Sequence, residues 1–254
     1  MIDFEQRGHV AVLTINRPEA RNAVNGDVAK GLEEAIDKVE ENDDIWVAVL
    51  TGAGSVFSAG ADLKAIASGQ AGTLSTRKGG FAGFVQRERT KPVIAAVDGP
   101  ALAGGCEITL ACDLVVASTN ARFGVPEVKR SLAAAAGGLF RLPQVLPPRI
   151  AMELVLTGDP IDAERAYALG MVNRIVDAGK AVDAAVDLAE AICANAPLAV
   201  RESRKVVLAA LTRPNEAELW NMSTAAMGNL AGTEDFAEGP RAFIEKRAPE
   251  WKGR

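Results

Sequence analysis

Histidine is almost missing from this chain: His9 is the sole one among 254 residues. Triads of the Ser-His-Asp or Cys-His kind, and zinc held by imidazole, would all have to pass through it. Its place beside Gly8, at the start of the first strand-like run, reads as a strand edge at the surface. Cysteine is nearly as scarce, and Cys106, Cys112 and Cys193 have no metal-ligand spacing, so they read as reduced core side chains with no metal site expected. Aromatic residues make up 5%, too few for a base-stacking platform, and no stripe of Lys and Arg interleaves with them. Lys+Arg 28 against Asp+Glu 33 leaves a net charge of −5, which argues against nucleic acid as a partner. No apolar run approaches the roughly 20 residues of a membrane span. Met1-Ile2-Asp3-Phe4-Glu5 lacks the basic start and apolar stretch of an export signal, so a cytoplasmic protein with no membrane partner is expected. Any catalysis must rest on carboxylates and backbone groups.

What is present is ordinary globular material, 48% apolar and 24% charged, enough to bury a core without cross-links. Residues 10–15 read as a strand, and 45–51 and 92–97 as strands buried on both faces. Between the first two, Val28, Leu32, Ala35, Ile36 and Val39 recur at helical spacing. The polar, glycine-rich segment 68–80 reads as a mobile loop, and a short helix over 106–111 precedes a strand at 114–117. Such alternation predicts an α/β layered domain. From about Pro148 the pattern predicts helix after helix. Val182, Ala185, Val186, Ala189, Ile192 and Cys193 share one face, a second helix spans 198–211, a third runs from Pro214 through Trp220 and Met227, and the last begins at Gly239-Pro240. The expected division is a core of residues 1–195 and a helical module of residues 196–254.

Two glycine-rich loops follow strands, one from Gly52 to Ala61 and one from Ala101 to Gly105. Neither has the Gly-Lys-Ser/Thr of a phosphate loop. Two such loops converging would bring two N–H donors to one point and stabilise an oxyanion, and Ala61 and Gly104 occupy the matching positions. Glu107 and Glu127 lie among apolar neighbours, where desolvation raises proton affinity and suits general acid–base work. The residues equally allow structural ion pairs with Arg122, Lys129 or Arg130.

Asn16-Arg17-Pro18, Ala20-Arg21-Asn22-Ala23, Phe57-Ser58-Ala59-Gly60-Ala61-Asp62-Leu63-Lys64 and Lys91-Pro92-Val93-Ile94-Ala95-Ala96-Val97 resemble the crotonase, or enoyl-CoA hydratase, superfamily. So do Gly104-Gly105-Cys106-Glu107, Ala111-Cys112-Asp113, Phe123-Gly124-Val125-Pro126-Glu127 and Leu156-Thr157-Gly158. The ordered series covers nearly the whole chain. The resemblance implies an α/β crotonase spiral of repeated ββα units with an α-helical C-terminal trimerisation module, whose trimers often stack into hexamers. It implies an acyl-CoA substrate, with coenzyme A as part of that substrate and no separate cofactor. The thioester carbonyl would meet the N–H groups of Ala61 and Gly104. The coenzyme A moiety would lie near Arg21, Asn22 and Ala23 and along Ala59, Ala61, Asp62, Leu63 and Lys64, with Phe243 and Lys246 reaching it from a neighbouring subunit.

Hydratases of the family carry two catalytic glutamates, and Glu107 and Glu127 match both. The resemblance makes Glu127 the proton donor to the α-carbon and Glu107 the residue that orients and activates water. Departures exist. Ala134-Ala135-Ala136-Gly137-Gly138 stands where the family has Pro-Gly-x-Gly-Gly, so the Ala135 methyl is expected to crowd the acyl pocket or shift the water. Ala103 replaces the first of three glycines. The final Glu245-Lys246-Arg247-Ala248-Pro249-Glu250-Trp251-Lys252-Gly253-Arg254 resembles the end of carnitinyl-CoA dehydratases, which act on an acyl group bearing a quaternary ammonium. Three readings therefore compete: a 2-enoyl-CoA hydro-lyase, an enoyl-CoA isomerase needing one base and no water, and a non-catalytic acyl-CoA-binding paralogue.

Overall fold

The computed structural model describes residues 1–212 and 215–254. A six-stranded sheet runs through it, built from β1 (Ile2–Arg7), β2 (Val10–Ile15), β3 (Val47–Gly52), β6 (Val93–Val97), β8 (Leu114–Ser118) and β11 (Arg174–Val176), in that spatial order. β1 and β2 form an antiparallel hairpin, and every later pairing is parallel. Side chains alternate between the faces of this sheet. Ala11, Leu13, Ile15, Ala48, Leu50, Ala95 and Val97 join one core with α1 (Gly26–Glu41). Val10, Val12, Val47, Val49, Ile94 and Ala96 join a second with α7 (Ala181–Cys193), through Ala181, Ala185, Val186 and Ala189. Cover on both sides explains why these strands read as continuous apolar runs.

α1 starts where the Asn25 side chain accepts a hydrogen bond from Val28 N at 3.0 Å. At its other end the buried Lys91 ammonium donates to Val39 O at 2.6 Å and Asn42 O at 2.7 Å, placing a cation on carbonyls at the negative end of the helix dipole.

A smaller sheet carries the site. β7 (Pro100–Leu102) lies parallel to β9 (Arg122–Gly124), which pairs antiparallel with β10 (Ile161–Asp162). β7 leads into α3 (Gly104–Ala111), and α2 (Leu63–Ala67) follows the loop after β3. The segment expected to be a loop carries a 3-10 turn at Ala71–Leu74 and a hairpin of β4 (Ser75–Thr76) and β5 (Gly80–Phe81). A further 3-10 turn, Pro126–Arg130, precedes α4 (Gly138–Val145) and α5 (Pro148–Thr157).

The region after Pro148 is not helix throughout. α6 (Ala163–Ala168) is preceded by β10 and followed by β11, which pairs with β8 through Arg174↔Val116. These strands are two and three residues long, too short to show a period. β1 was equally invisible because its side chains are largely exposed. α8 (Pro197–Ala210), α9 (Glu216–Leu230) and α10 (Glu234–Glu245) complete the chain. The expected start of the third helix at Pro214 lies outside the described residues; α9 is capped by Asn215, which accepts from Ala217 N at 3.1 Å. α10 begins five residues before Gly239, with Thr233 as its cap, accepting from Phe236 N at 3.1 Å. Pro240 therefore sits inside the helix, where the acidic first turn of Glu234 and Asp235 and the Thr233 cap outweigh one missing backbone bond.

Candidate active site

The two glycine-rich loops meet. A Cβ at Gly60 would stand 2.6 Å from the Gly104 nitrogen, so the loop after β3 and the entry of α3 touch backbone to backbone. Gly60 has φ +86, which turns the chain between Ala59 and Ala61. The Phe81 ring also presses on Gly104, where a Cβ would come within 2.5 Å of it. Neither Ala61 nor Gly104 commits its N–H to an acceptor among the described residues, and Gly104 N–H belongs to the open first turn of a helix. Two donors are thus held side by side.

Ala103 pays for this geometry. Its φ of 53 and ψ of −128 lie in a region natural to glycine. Ala103→Gly is expected to stabilise the fold by about 1 kcal/mol, the relief of strain exceeding the entropy gained by the unfolded chain. A urea midpoint that rises at unchanged m-value is the measurement; a falling midpoint would show that the methyl packs usefully.

Glu107 lies one turn into α3 and is 3% exposed. Its Oε1 accepts from Gly138 N at 2.9 Å. Burial pushes its carboxyl up to about 7, and the Glu127 charge adds to the rise, while the N–H groups of Gly138 and Ala136 and the charge of Arg141 hold it down. Glu127 sits in the Pro126–Arg130 turn, half-buried, and burial raises its carboxyl too. Its Oε2 is shut off from solvent with no hydrogen-bond partner, and an unsatisfied buried acceptor is costly unless it has work to do. The structural ion pairs are not formed. Lys129 pairs with Asp159, Arg122 donates to the carbonyls of Thr119 and Ala121, and among the described residues neither glutamate has a cationic partner within salt-bridge distance.

The remaining sequence candidates fall into three groups. Ala59 N donates to Arg21 O at 3.0 Å, which joins Arg21 and Ala23 to the stretch running through Ala61 to exposed Leu63 and Lys64. Asn22 and Asp62 are buried and act inside this surface. The Asn22 side chain donates to Ala53 O and Val56 O and accepts from Arg17 N. Asp62 caps α2 through Lys64 N and accepts from Arg17 Nη1 at 2.6 Å, a bond that holds its carboxyl below the usual range. Phe243, 85% exposed, and Lys246, which closes α10 in the left-handed conformation, project at the end of that helix.

Two features escaped sequence reasoning. The turn at 136–138 is the cradle of Glu107, although sequence reasoning weighed only the alanines that precede its glycines, as departures from a family pattern. Just ahead of it Ala134 is buried, its Cβ filling the space beside Gly138, while Ala135 is exposed. An open cleft of about 350 Å³ lies elsewhere, between β1 and α1, and shares no residue with this site.

A profile of the family described as enoyl-CoA hydratase/isomerase matches residues 5–254. The carnitinyl-CoA dehydratases of Citrobacter koseri and Salmonella typhi are each 39% identical over 258 residues, spanning 100% of this chain and 98% of theirs. Among solved structures, an enoyl-CoA hydratase from Mycobacterium tuberculosis superposes with a TM-score of 0.95 at 45% identity, covering 100% of this chain and 99% of its own. A carnitinyl-CoA hydratase from Mycobacterium avium, also 45% identical, gives 0.78 over 100% and 98%.

Proposed function

The chain belongs to the enoyl-CoA hydratase/isomerase family, and on that premise we propose that it is a hydro-lyase adding water reversibly across the double bond of 2-enoyl-CoA thioesters. The observation that carries this reading is a pair of desolvated glutamates, one buried and one half-buried and neither in a salt bridge, in a chain that also leaves the Ala61 and Gly104 N–H groups uncommitted. The thioester carbonyl accepts from Ala61 N–H and Gly104 N–H, which stabilise the enolate as charge moves onto its oxygen. Glu107, as carboxylate, takes a proton from water while the oxygen bonds to the β-carbon; Glu127, as acid, gives a proton to the α-carbon. Glu107 then holds the proton that Glu127 has lost, and one proton returned between them restores both. Isomerisation needs a single base, so the retained pair favours hydration.

Coenzyme A enters only as part of the substrate, lying along Arg21, Ala23 and Ala59 to Lys64, with Asn22 and Asp62 fixing that surface from within. Phe243 and Lys246 reach the same ligand from a neighbouring copy in a homotrimer or a pair of trimers. Among the described residues no helix is long and apolar enough to cross a membrane, which fits the cytoplasmic setting proposed here.

A second reading keeps the chemistry and changes the acyl group. The 39% identity to carnitinyl-CoA dehydratases over the full chain supports a substrate with a quaternary ammonium. Crotonyl-CoA and crotonobetainyl-CoA, followed by loss of conjugated-thioester absorbance, separate the two. Fast loss with crotonyl-CoA and a 3-hydroxyacyl-CoA product is the expected result. Turnover of crotonobetainyl-CoA alone would select the second reading, and conversion of a 3-enoyl-CoA with no hydroxylated product would overturn both.

A further inference from the structure

Arg141 has no part in the steps above. It lies near the start of α4, half-buried, and all its bonds run to backbone. Its own N–H donates to Gly137 O at 2.9 Å, Nη1 to Ala136 O at 3.3 Å, and Nη2 to Val85 O at 2.6 Å. Gly137 has φ +114, and a Cβ there would stand 2.3 Å from Nη1. The guanidinium therefore occupies the space a side chain at 137 would need, and glycine leaves that room. The turn it grips is the turn whose Gly138 N–H holds Glu107. A planar fork of fixed donors suits this better than a flexible ammonium.

We propose that Arg141 is a positioning residue of the hydration reaction, clamping the 136–138 turn from behind so that the turn holds the Glu107 carboxylate in place. The inference rests on the hydratase reading. The clamp also sets a positive charge behind Glu107, which favours the ionised form needed to activate water. Glu107 is faced by Glu127 from the Pro126–Arg130 turn and by Arg141 from α4, with Cys106 beside it on α3; Arg141 is faced in turn by Arg89 ahead of β6 and Cys112 at the end of α3.

The test compares Arg141→Gln and Arg141→Lys in the wild-type and Glu107→Gln backgrounds. Arg141→Gln is expected to lower kcat on the order of 10- to 100-fold with KM within about threefold, as misplacement of a reacting group does. The acid limb of kcat/KM, and the Glu107 carboxyl titration read by carbon-13 NMR, should both move up by about half a unit or more. Arg141→Lys should keep that titration within a few tenths of a unit, while losing part of kcat with the fork. In the Glu107→Gln background either change should alter residual kcat by less than about twofold. Equal losses in both backgrounds would overturn the proposal in favour of a merely structural arginine, as would unchanged kcat and titration. If Arg141→Gln fails to fold, the Arg141→Lys pair decides by the same contrast. A wild type that hydrates nothing, yet whose Glu107 titration shifts in Arg141→Gln, would sink the hydratase reading and leave the clamp standing.

Discussion

Glu127→Gln is expected to lower kcat for crotonyl-CoA hydration about 1,000-fold, within the range that a positioned proton donor supplies, with acyl-CoA affinity nearly unchanged. Glutamine has the same shape and still offers an oxygen, but it cannot deliver a proton to the α-carbon. The effect should be large because the other acid, Glu107, is taken up with the water, while the chain has one histidine and Lys129 is engaged with Asp159. Turnover and binding must be measured together, by absorbance loss with crotonyl-CoA and by calorimetric titration with a saturated acyl-CoA. A loss of affinity as large as the loss of rate would give Glu127 a structural part instead.

Glu107→Gln is expected to remove most activity and, above neutral pH, to make the protein more stable. The direction follows from proton linkage. Glu107 titrates at about 7 in the fold against an ordinary 4.5, so the folded chain binds its proton more tightly than the unfolded one. Wild-type stability from this group is therefore greatest below pH 4.5, falls as pH rises, and reaches its full deficit above 7. The deficit is about 3 kcal/mol at 1.36 kcal/mol per unit. A neutral amide escapes it while still accepting from Gly138 N–H, and because the deficit is already net of the carboxylate's bonds to the turn, the gain is about 3 kcal/mol. Urea midpoints for the two proteins at pH 8 and pH 4.5 check this. The variant should be ahead at pH 8 and level at pH 4.5. An advantage of the same size at both values would mean that the carboxylate is not the source.

The parts of this molecule legible in the sequence are those whose signal is local. α1 shows itself by apolar spacing and α7 by its alanine face, and the strands from Val10, Val47 and Val93 by unbroken apolar runs. Glu107 and Glu127 stand out as acids among apolar neighbours, but their free or paired state does not. That depends on whether Arg122, Lys129 or Arg130 pairs with them, and only the folded chain shows Arg122 on the carbonyls of Thr119 and Ala121 and Lys129 on Asp159. β11 carries no period in three residues, one exposed and two half-buried, and Gly239-Pro240 imitates a helix start while the actual cap, Thr233, lies six residues ahead of Gly239. The cradle of Glu107 was out of reach for a different reason. Its hydrogen bond spans 31 residues, and no local pattern announces it.

That span bears on how activity appears during folding. The donors come from residues 61 and 104, the acids from 107 and 127, and the hold on Glu107 from 136–138, all brought together by a sheet whose parallel pairings close only through long crossovers. Long-range pairing of this kind is slow to form, so a refolding chain should recover helical signal well before it recovers turnover. A ribosome-bound or truncated product ending short of the turn would have both donors and both glutamates, yet nothing to hold Glu107. On the proposed reading turnover requires the closed chain, and its return is expected to report completed folding more faithfully than any spectroscopic measure of secondary structure.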